Sequence, residues 1–244
     1  MIILALIAVA LALGFCYWWL IIETEGVYLG KRVVVALYDR YAPRYDRVKQ
    51  FDERADLALI AQPIMARVQP QSDPLILDLA TGTGRLPLIM ARDASFCGHV
   101  IGLDASRRML QAARRKVDAE RFDEFITLIQ GDASERFFPG DCFDVVTCLE
   151  ALEFMPDPER VLFEMVRVLQ PGGLLLTTIR IDTRWMPNRT WSETKMRRTL
   201  ESLDMGEISI EIWQDDYSQV WARKAGASPT LDAEYLPAAR PPGS

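Results

Sequence analysis

The chain has 244 residues, 50% of them hydrophobic and 25% charged, with a net charge of −6. That length and apolar content support one domain with a sizeable core, and an acidic balance without a basic stripe interleaved with aromatics argues against a nucleic-acid partner. Cys16, Cys97, Cys142 and Cys148 have neither disulfide-framework nor metal-ligand spacing, so no metal site is expected and a reducing compartment fits.

Residues 1–22 carry no charged side chain and are long enough to span a bilayer, for which ~20 residues are needed. Tyr17, Trp18 and Trp19 stand near the C-terminal end, where an interfacial aromatic belt would lie. A cleavable signal peptide is the rival: Ala8-Val9-Ala10 and Ala10-Leu11-Ala12 have cleavage-like spacing, yet no basic region precedes the run and its apolar stretch is too long. An uncleaved membrane anchor is therefore expected, in contact with a lipid bilayer. Lys31, Arg32, Arg40, Arg44, Arg47 and Lys49 follow the span and no Lys or Arg precedes it, which places the N-terminus outside and the remainder in the cytoplasm.

Residues 23–70 form a juxtamembrane stretch. It holds Tyr38-Asp39-Arg40-Tyr41-Ala42-Pro43-Arg44-Tyr45-Asp46 and then an apolar helix from about Asp52 to Val68, containing Leu57, Leu59, Ile60, Ile64 and Met65. On its own this reads as an amphipathic connector whose tyrosines pack on a sheet edge.

Within residues 71–224 the apolar run Leu75-Ile76-Leu77-Asp78-Leu79 leads straight into Ala80-Thr81-Gly82-Thr83-Gly84, a buried strand followed by a glycine turn. Such a turn either cradles a nucleoside or simply joins strand to helix. Pro87 occupies the place where a dinucleotide fingerprint has glycine or alanine, so a diphosphate ligand is disfavoured. Val100 to Asp104 reads as a second strand ending in an acid twenty residues past Gly84, the spacing at which a carboxylate can accept ribose hydroxyls. A helix over Ala105 to Val117 follows, then a third strand from Phe125 ending near Asp132 and Ala133. Phe143 to Glu150 gives a fourth strand. Asp157 to Leu169 is a helix closed by Gln170-Pro171-Gly172-Gly173, and Leu174 to Ile179 is a buried central strand. After a helix over Ser192 to Leu203, Glu207–Trp213 and Tyr217–Arg223 alternate with period two around Gln214-Asp215-Asp216, which reads as a hairpin. The fold class is thus α/β: a Rossmann-like, doubly wound, mostly parallel seven-stranded sheet with a terminal antiparallel hairpin, preceded by one transmembrane helix. Residues 225–244, rich in Pro and Ala, read as a tail without a fold of its own, either solvated or docked on a partner.

Asp78-x-Ala80-x-Gly82-x-Gly84, the acids closing the next two strands, and Arg167-Val168-Leu169-Gln170-Pro171-Gly172-Gly173 together resemble class I S-adenosylmethionine-dependent methyltransferases over roughly residues 38–224. The tyrosine–aspartate segment resembles the lid of the quinone-ring group. The resemblance implies S-adenosyl-L-methionine as cofactor, held by Asp78, Ala80, Thr81, Gly82, Gly84, Asp104, Ala105, Asp132, Ala133 and Leu149. It also implies that Tyr38, Tyr41, Tyr45 and Trp185 shape an acceptor pocket. Many relatives have a histidine where Phe154 stands, and His99, the one histidine, begins the second strand far from the expected mouth. Glu153 is therefore the candidate base or substrate contact, or else a helix-start or salt-bridge residue. The implied function is methyl transfer to a small or lipophilic acceptor (a quinone, isoprenoid, pigment or lipid head group) at the cytoplasmic membrane face. The alternative is an accessory subunit of a larger membrane complex with little or no catalysis.

Overall fold

A computed structural model describes residues 1–68, 73–182 and 184–226 of the chain. Helix α1 (Ile2–Tyr17) continues without a break into a π-helical turn over Trp18–Glu23. The combined 22 residues are long and apolar enough to cross a membrane, and none of them is buried. At 1.5 Å per residue they extend about 33 Å, against a hydrocarbon core of ~30 Å. Thr24 stops the run by donating its hydroxyl to the carbonyl of Trp19 at 2.9 Å. Glu25 (φ 48°) and Gly26 (φ 77°) then turn the chain in the left-handed region.

Helices α2 (Lys31–Tyr41) and α3 (Tyr45–Lys49) follow. Next come α4 (Glu53–Asp56), capped by the Asp52 carboxylate, a π turn over Leu57–Ala61, and α5 (Gln62–Arg67). These last three make up the apolar helix expected over Asp52–Val68; the π turn inside it buries Ile60 and Ala61.

The sheet strands are β1 (Leu75–Leu79), β2 (His99–Asp104), β3 (Ile126–Gln130), β4 (Phe143–Cys148), β5 (Leu169–Arg180), β6 (Met205–Ile212) and β7 (Tyr217–Lys224). Their order is β3-β2-β1-β4-β5-β7-β6. The first five run parallel, and β7 pairs antiparallel with both β5 and β6. Helices α6 (Arg85–Arg92), α7 (Arg107–Glu120), α8 (Pro158–Val168) and α9 (Glu193–Ser202) connect the strands. Crossovers depart in opposite directions from β1 and β4, and the crevice at their carboxyl ends is where open α/β sheets bind ligands.

Period-two geometry divides the core between two faces. Leu77, Val146 and Leu175 pack into one cluster with α8 and α9 residues such as Leu162 and Leu200, whereas Ile76, Val145, Leu174 and Leu176 pack with Ile60, Ile64 and Met90 on the other. Burial on both sides is why these strands read as unbroken apolar runs. Helix α7 starts at Arg107 rather than Ala105 because the Ser106 hydroxyl accepts the Met109 N–H at 3.2 Å and caps it. Strand β5 extends back through Pro171-Gly172-Gly173 to Leu169, pairing Leu169 with Phe143 ahead of a register shift, where the sequence suggested only a helix stop. Strand β6 begins at Met205, before the alternating run, across a second register shift. Of the expected tail, residues 227–244 lie outside the described residues.

The apolar helix is docked onto the domain by its last turns. The Trp19 indole donates to the carbonyl of Trp185 at 2.8 Å, the Trp18 and Trp185 rings meet edge-on with centroids 5.4 Å apart, and the Tyr28 hydroxyl donates to the Pro187 carbonyl at 2.6 Å.

Candidate functional site

The glycine turn after β1 puts Ala80 (φ 54°), Gly82 (φ 57°) and Gly84 (φ 82°) in the left-handed region. Glycine takes this shape freely, but Ala80 carries a strain of about 1–2 kcal/mol. At Gly84 a Cβ would stand 3.2 Å from the Ala113 Cβ, so the missing side chain lets α6 start against α7. Pro87 falls in the first turn of α6, where its absent N–H costs little.

Asp104, closing β2, clamps the turn. Its Oδ2 accepts the Gly82 N–H at 2.8 Å and its Oδ1 accepts the Ser106 N–H at 2.7 Å. Burial nevertheless outweighs these bonds and pushes its pKa up to about 6. Asp78, buried beneath the turn and receiving the Thr147 hydroxyl at 2.6 Å, is also raised by burial to about 6. Asp132, just past β3, is ion-paired with Lys31 of α2. Burial works against the Asp132 carboxylate, but Lys31 and the Ser134 N–H prevail and hold its pKa low.

A cleft of about 130 Å³, partly open to solvent, runs along these strand ends. It brings together Ala80, Gly82, Asp104, Ala105, Asp132, Ala133 and Leu149 on the sheet side with Tyr38 and Tyr45 on the helical side. Asp78 and Thr81 line a smaller adjoining cavity with Arg85, and Gly84 serves packing instead of lining either.

Three sequence expectations need correction. Glu153 does not line the cleft; it is 2% exposed and accepts the Tyr217 hydroxyl at 2.5 Å, a tyrosine partner in place of a substrate contact or a salt bridge. Trp185 is not a pocket residue, because its ring is taken by Trp18 and Phe15 of the apolar helix. Tyr41 also stays outside the cleft and packs edge-on against Tyr45, centroids 5.7 Å apart.

Sequence reasoning missed Glu150 as a site residue. It follows β4 in the left-handed region (φ 52°), lines the cleft, and accepts from Arg85 Nη1 at 2.6 Å. Arg85 also makes a two-pronged pair with Asp56 at 2.8 and 2.6 Å, tying α4 to the strand-end edge of the sheet. The helical wall is latched by Asp39, whose carboxylate receives the Ser106 hydroxyl at 2.6 Å and the Arg108 N–H at 3.0 Å. Asp39 stands between Tyr38 and Tyr41 in sequence, and no spacing rule marks it.

The strand order with its terminal antiparallel hairpin frames the acid-lined glycine turn, and residues 77–177 match the family described as methyltransferase domain. The chain is 34% identical over 143 residues to a demethylmenaquinone methyltransferase of Lactiplantibacillus plantarum, covering 59% of this chain and 60% of that protein. It is 36% identical to the demethylmenaquinone methyltransferase of Symbiobacterium thermophilum, covering 59% of this chain and 57% of the relative. The chain thus spans about 60% of the length of these relatives. Two solved structures share the fold. The [4+2]-cyclase SpnF has a TM-score of 0.66 at 18% identity, covering 80% of this chain and 96% of its own. A Haemonchus contortus phosphoethanolamine N-methyltransferase bound to S-adenosylhomocysteine has a TM-score of 0.57 at 18% identity, covering 68% of this chain and 52% of its own.

The donor set suits S-adenosyl-L-methionine, the cofactor that the resemblance implies. Each Asp104 oxygen holds a single N–H and keeps a lone pair for a ribose hydroxyl, while Leu103, Met109 and Ala133 supply apolar walls for a purine.

Proposed function

We propose that the protein is an S-adenosylmethionine-dependent methyltransferase that methylates a small, lipophilic, quinone-type acceptor at a membrane face. Residues 2–23 serve as its anchor and the domain faces the cytoplasm. One observation carries the reading: a single cleft has the strand-end acids as one wall and α2 as the other, and α2 is the first long helix after the apolar span. A hydrophobic acceptor leaving the bilayer beside this anchor has little water to cross. The quinone class is suggested by the names of the relatives, both demethylmenaquinone methyltransferases.

When bound, the cofactor supplies an electrophilic methyl group on a sulfonium. Everything else falls to the chain. Asp104 accepts the ribose hydroxyls, Asp132 and the Ala133 N–H read the adenine edge, and Gly82 presents bare backbone to the ligand. Val34 and Val35 from α2 and Phe154 from the loop after β4 close the cleft with apolar surface and keep water out. Orientation of donor and acceptor in such a site can account for ~7–11 kcal/mol of barrier lowering without any covalent role for the protein.

The test is direct. Purified protein in lipid vesicles is given methyl-labelled S-adenosylmethionine and a reduced demethylated quinone, and the mixture is extracted with organic solvent. Label in the quinone supports the proposal. Label in neither phase favours a tethered subunit without catalysis, and label confined to water-soluble products excludes a bilayer-borne acceptor.

A further inference from the structure

We infer that Glu25, in the turn between the apolar helix and α2, takes up the proton that the acceptor loses on methylation, working through the hydroxyl of Tyr38. The inference rests on the methyl-transfer reading above. Methylation of a ring carbon or a hydroxyl leaves a proton to be removed, and the one histidine is remote: His99 binds the Glu124 carbonyl and the Thr127 hydroxyl instead. Tyr38 lines the cleft, and its hydroxyl donates to the Glu25 carboxylate.

The turn holds Glu25 in place at a cost. Its backbone sits at φ 48°, a strained setting for a residue with a Cβ, between the Thr24 stop and Gly26, whose Cβ would meet Val33 and Leu37 at 2.9 Å. Opposite lies Arg180 at the end of β5, paired at 3.6 Å with Glu23 and with its buried Nε lacking a hydrogen-bond partner among the described residues. The groups that act on Glu25 are Tyr38 from α2, Lys49 from α3, Arg180 from β5 and Glu150 after β4, with Tyr45 and Glu153 more weakly coupled. Burial prevails among them and raises the Glu25 pKa above the ordinary glutamate range, which suits a group that must hold a proton during turnover.

The step balances. The acceptor's electron pair forms the new bond to the methyl carbon while the sulfur keeps the pair of the bond that breaks. The acceptor's C–H or O–H proton passes to the Tyr38 oxygen as the Tyr38 proton passes to Glu25. The positive charge of the sulfonium and the negative charge of the carboxylate are both extinguished. The carboxyl later gives its proton to water.

Glu25 is a positioning and relay residue, because only Tyr38 faces the cleft. Glu25→Gln keeps the size and can still accept the Tyr38 hydrogen bond, but it cannot take the proton. In the full-length protein in vesicles, kcat for a reduced demethylated quinone falls by about 10²-fold or more in Glu25→Gln and in Tyr38→Phe. KM and the affinity for S-adenosylhomocysteine stay at wild-type values, the acidic limb of the kcat profile at saturating S-adenosylmethionine disappears, and Glu25→Asp restores part of the rate. Infrared titration of the ligand-free protein loses one carboxyl that titrates above the usual glutamate range in Glu25→Gln. Wild-type kcat and pH profile in Glu25→Gln overturn the relay and leave the methyltransferase reading standing. A wild-type protein that binds S-adenosylhomocysteine yet methylates no quinol overturns both.

Discussion

Replacing Arg85 by Met is the sharpest probe of how the helical wall is joined to the sheet. The guanidinium makes three short bonds, at 2.6–2.8 Å, to Asp56 and Glu150, and stacks 4.1 Å from the Phe51 ring centroid. Side-chain exposure is 15% for Arg85, 6% for Asp56 and 10% for Glu150, so this pairing is not screened as surface pairs are. The Met side chain keeps the stem and leaves Asp56 as a nearly buried carboxylate without a partner. Breaking a buried pair from one side costs about 3–5 kcal/mol, which for a chain of this size lowers Tm by roughly 6–20 °C. Glu150 is hurt less, since Lys49 and Gln214 still reach it at 3.3 Å. Arg85→Met combined with Asp56→Leu removes the stranded charge and should regain most of the loss, giving a coupling of at least about 2 kcal/mol. Urea unfolding in mild detergent, followed by tryptophan fluorescence, measures both variants together with the Asp56→Leu single variant that the coupling requires. A loss below about 1 kcal/mol in Arg85→Met, or no recovery in the double variant, would refute the reasoning.

Two further predictions concern ligand binding. Asp104 and Asp78 have folded pKa values of about 6 against an ordinary 3.8, so the ligand-free fold holds their protons more tightly than the unfolded chain. Their contribution to stability is therefore fully present below about pH 4 and lost as pH rises through 6. Cofactor affinity moves the other way: below pH 6 Asp104 must lose its proton to accept ribose hydroxyls, so Kd for S-adenosylhomocysteine rises by up to about tenfold per pH unit, as calorimetry would show. Asp104→Asn should flatten that dependence; a profile unchanged by the substitution assigns the titration elsewhere. Lys31, paired with Asp132 and lining the cleft, competes for the carboxylate expected to read the adenine edge. Lys31→Met should tighten S-adenosylhomocysteine binding by up to about fivefold, the worth of a half-exposed ion pair, and remove the strengthening that salt produces in the wild type. Weaker binding in Lys31→Met would mean that the ammonium contacts the ligand instead.

What the sequence reveals is local, and what it hides is long-range. The strand ending in Asp78, the glycine turn and Asp104 lie within one strand–helix–strand unit, where apolar runs and glycine spacing report backbone geometry directly; the hairpin is legible because period-two alternation brackets a polar turn. The two register shifts are not, since pairing Leu169 with Phe143 depends on two distant segments together. The same holds for the site's polar partners. Arg85 with Glu150 and Lys31 with Asp132 join residues 65 and 101 positions apart, and no periodicity encodes such meetings. Trp185 is ambiguous in the sequence for a related reason: an aromatic residue in a loop near the site suits a pocket wall and a docking surface equally, and only the fold brings it to Trp18. Glu153 sits one turn beyond a strand end, where a base would be useful, but the 3-10 turn over Leu152–Phe154 buries it against Tyr217.

The account turns on whether the cleft beside β1 and β2 holds the methyl donor's nucleoside through Asp104. Titration calorimetry of the full-length protein with S-adenosylhomocysteine measures this without requiring a known acceptor. The wild type should bind one equivalent, and Asp104→Ala should bind about 10- to 150-fold more weakly, the equivalent of losing a hydrogen bond to a charged group worth ~1.5–3 kcal/mol. A wild type that takes up no heat of binding, or an Asp104→Ala variant with undiminished affinity, would contradict it.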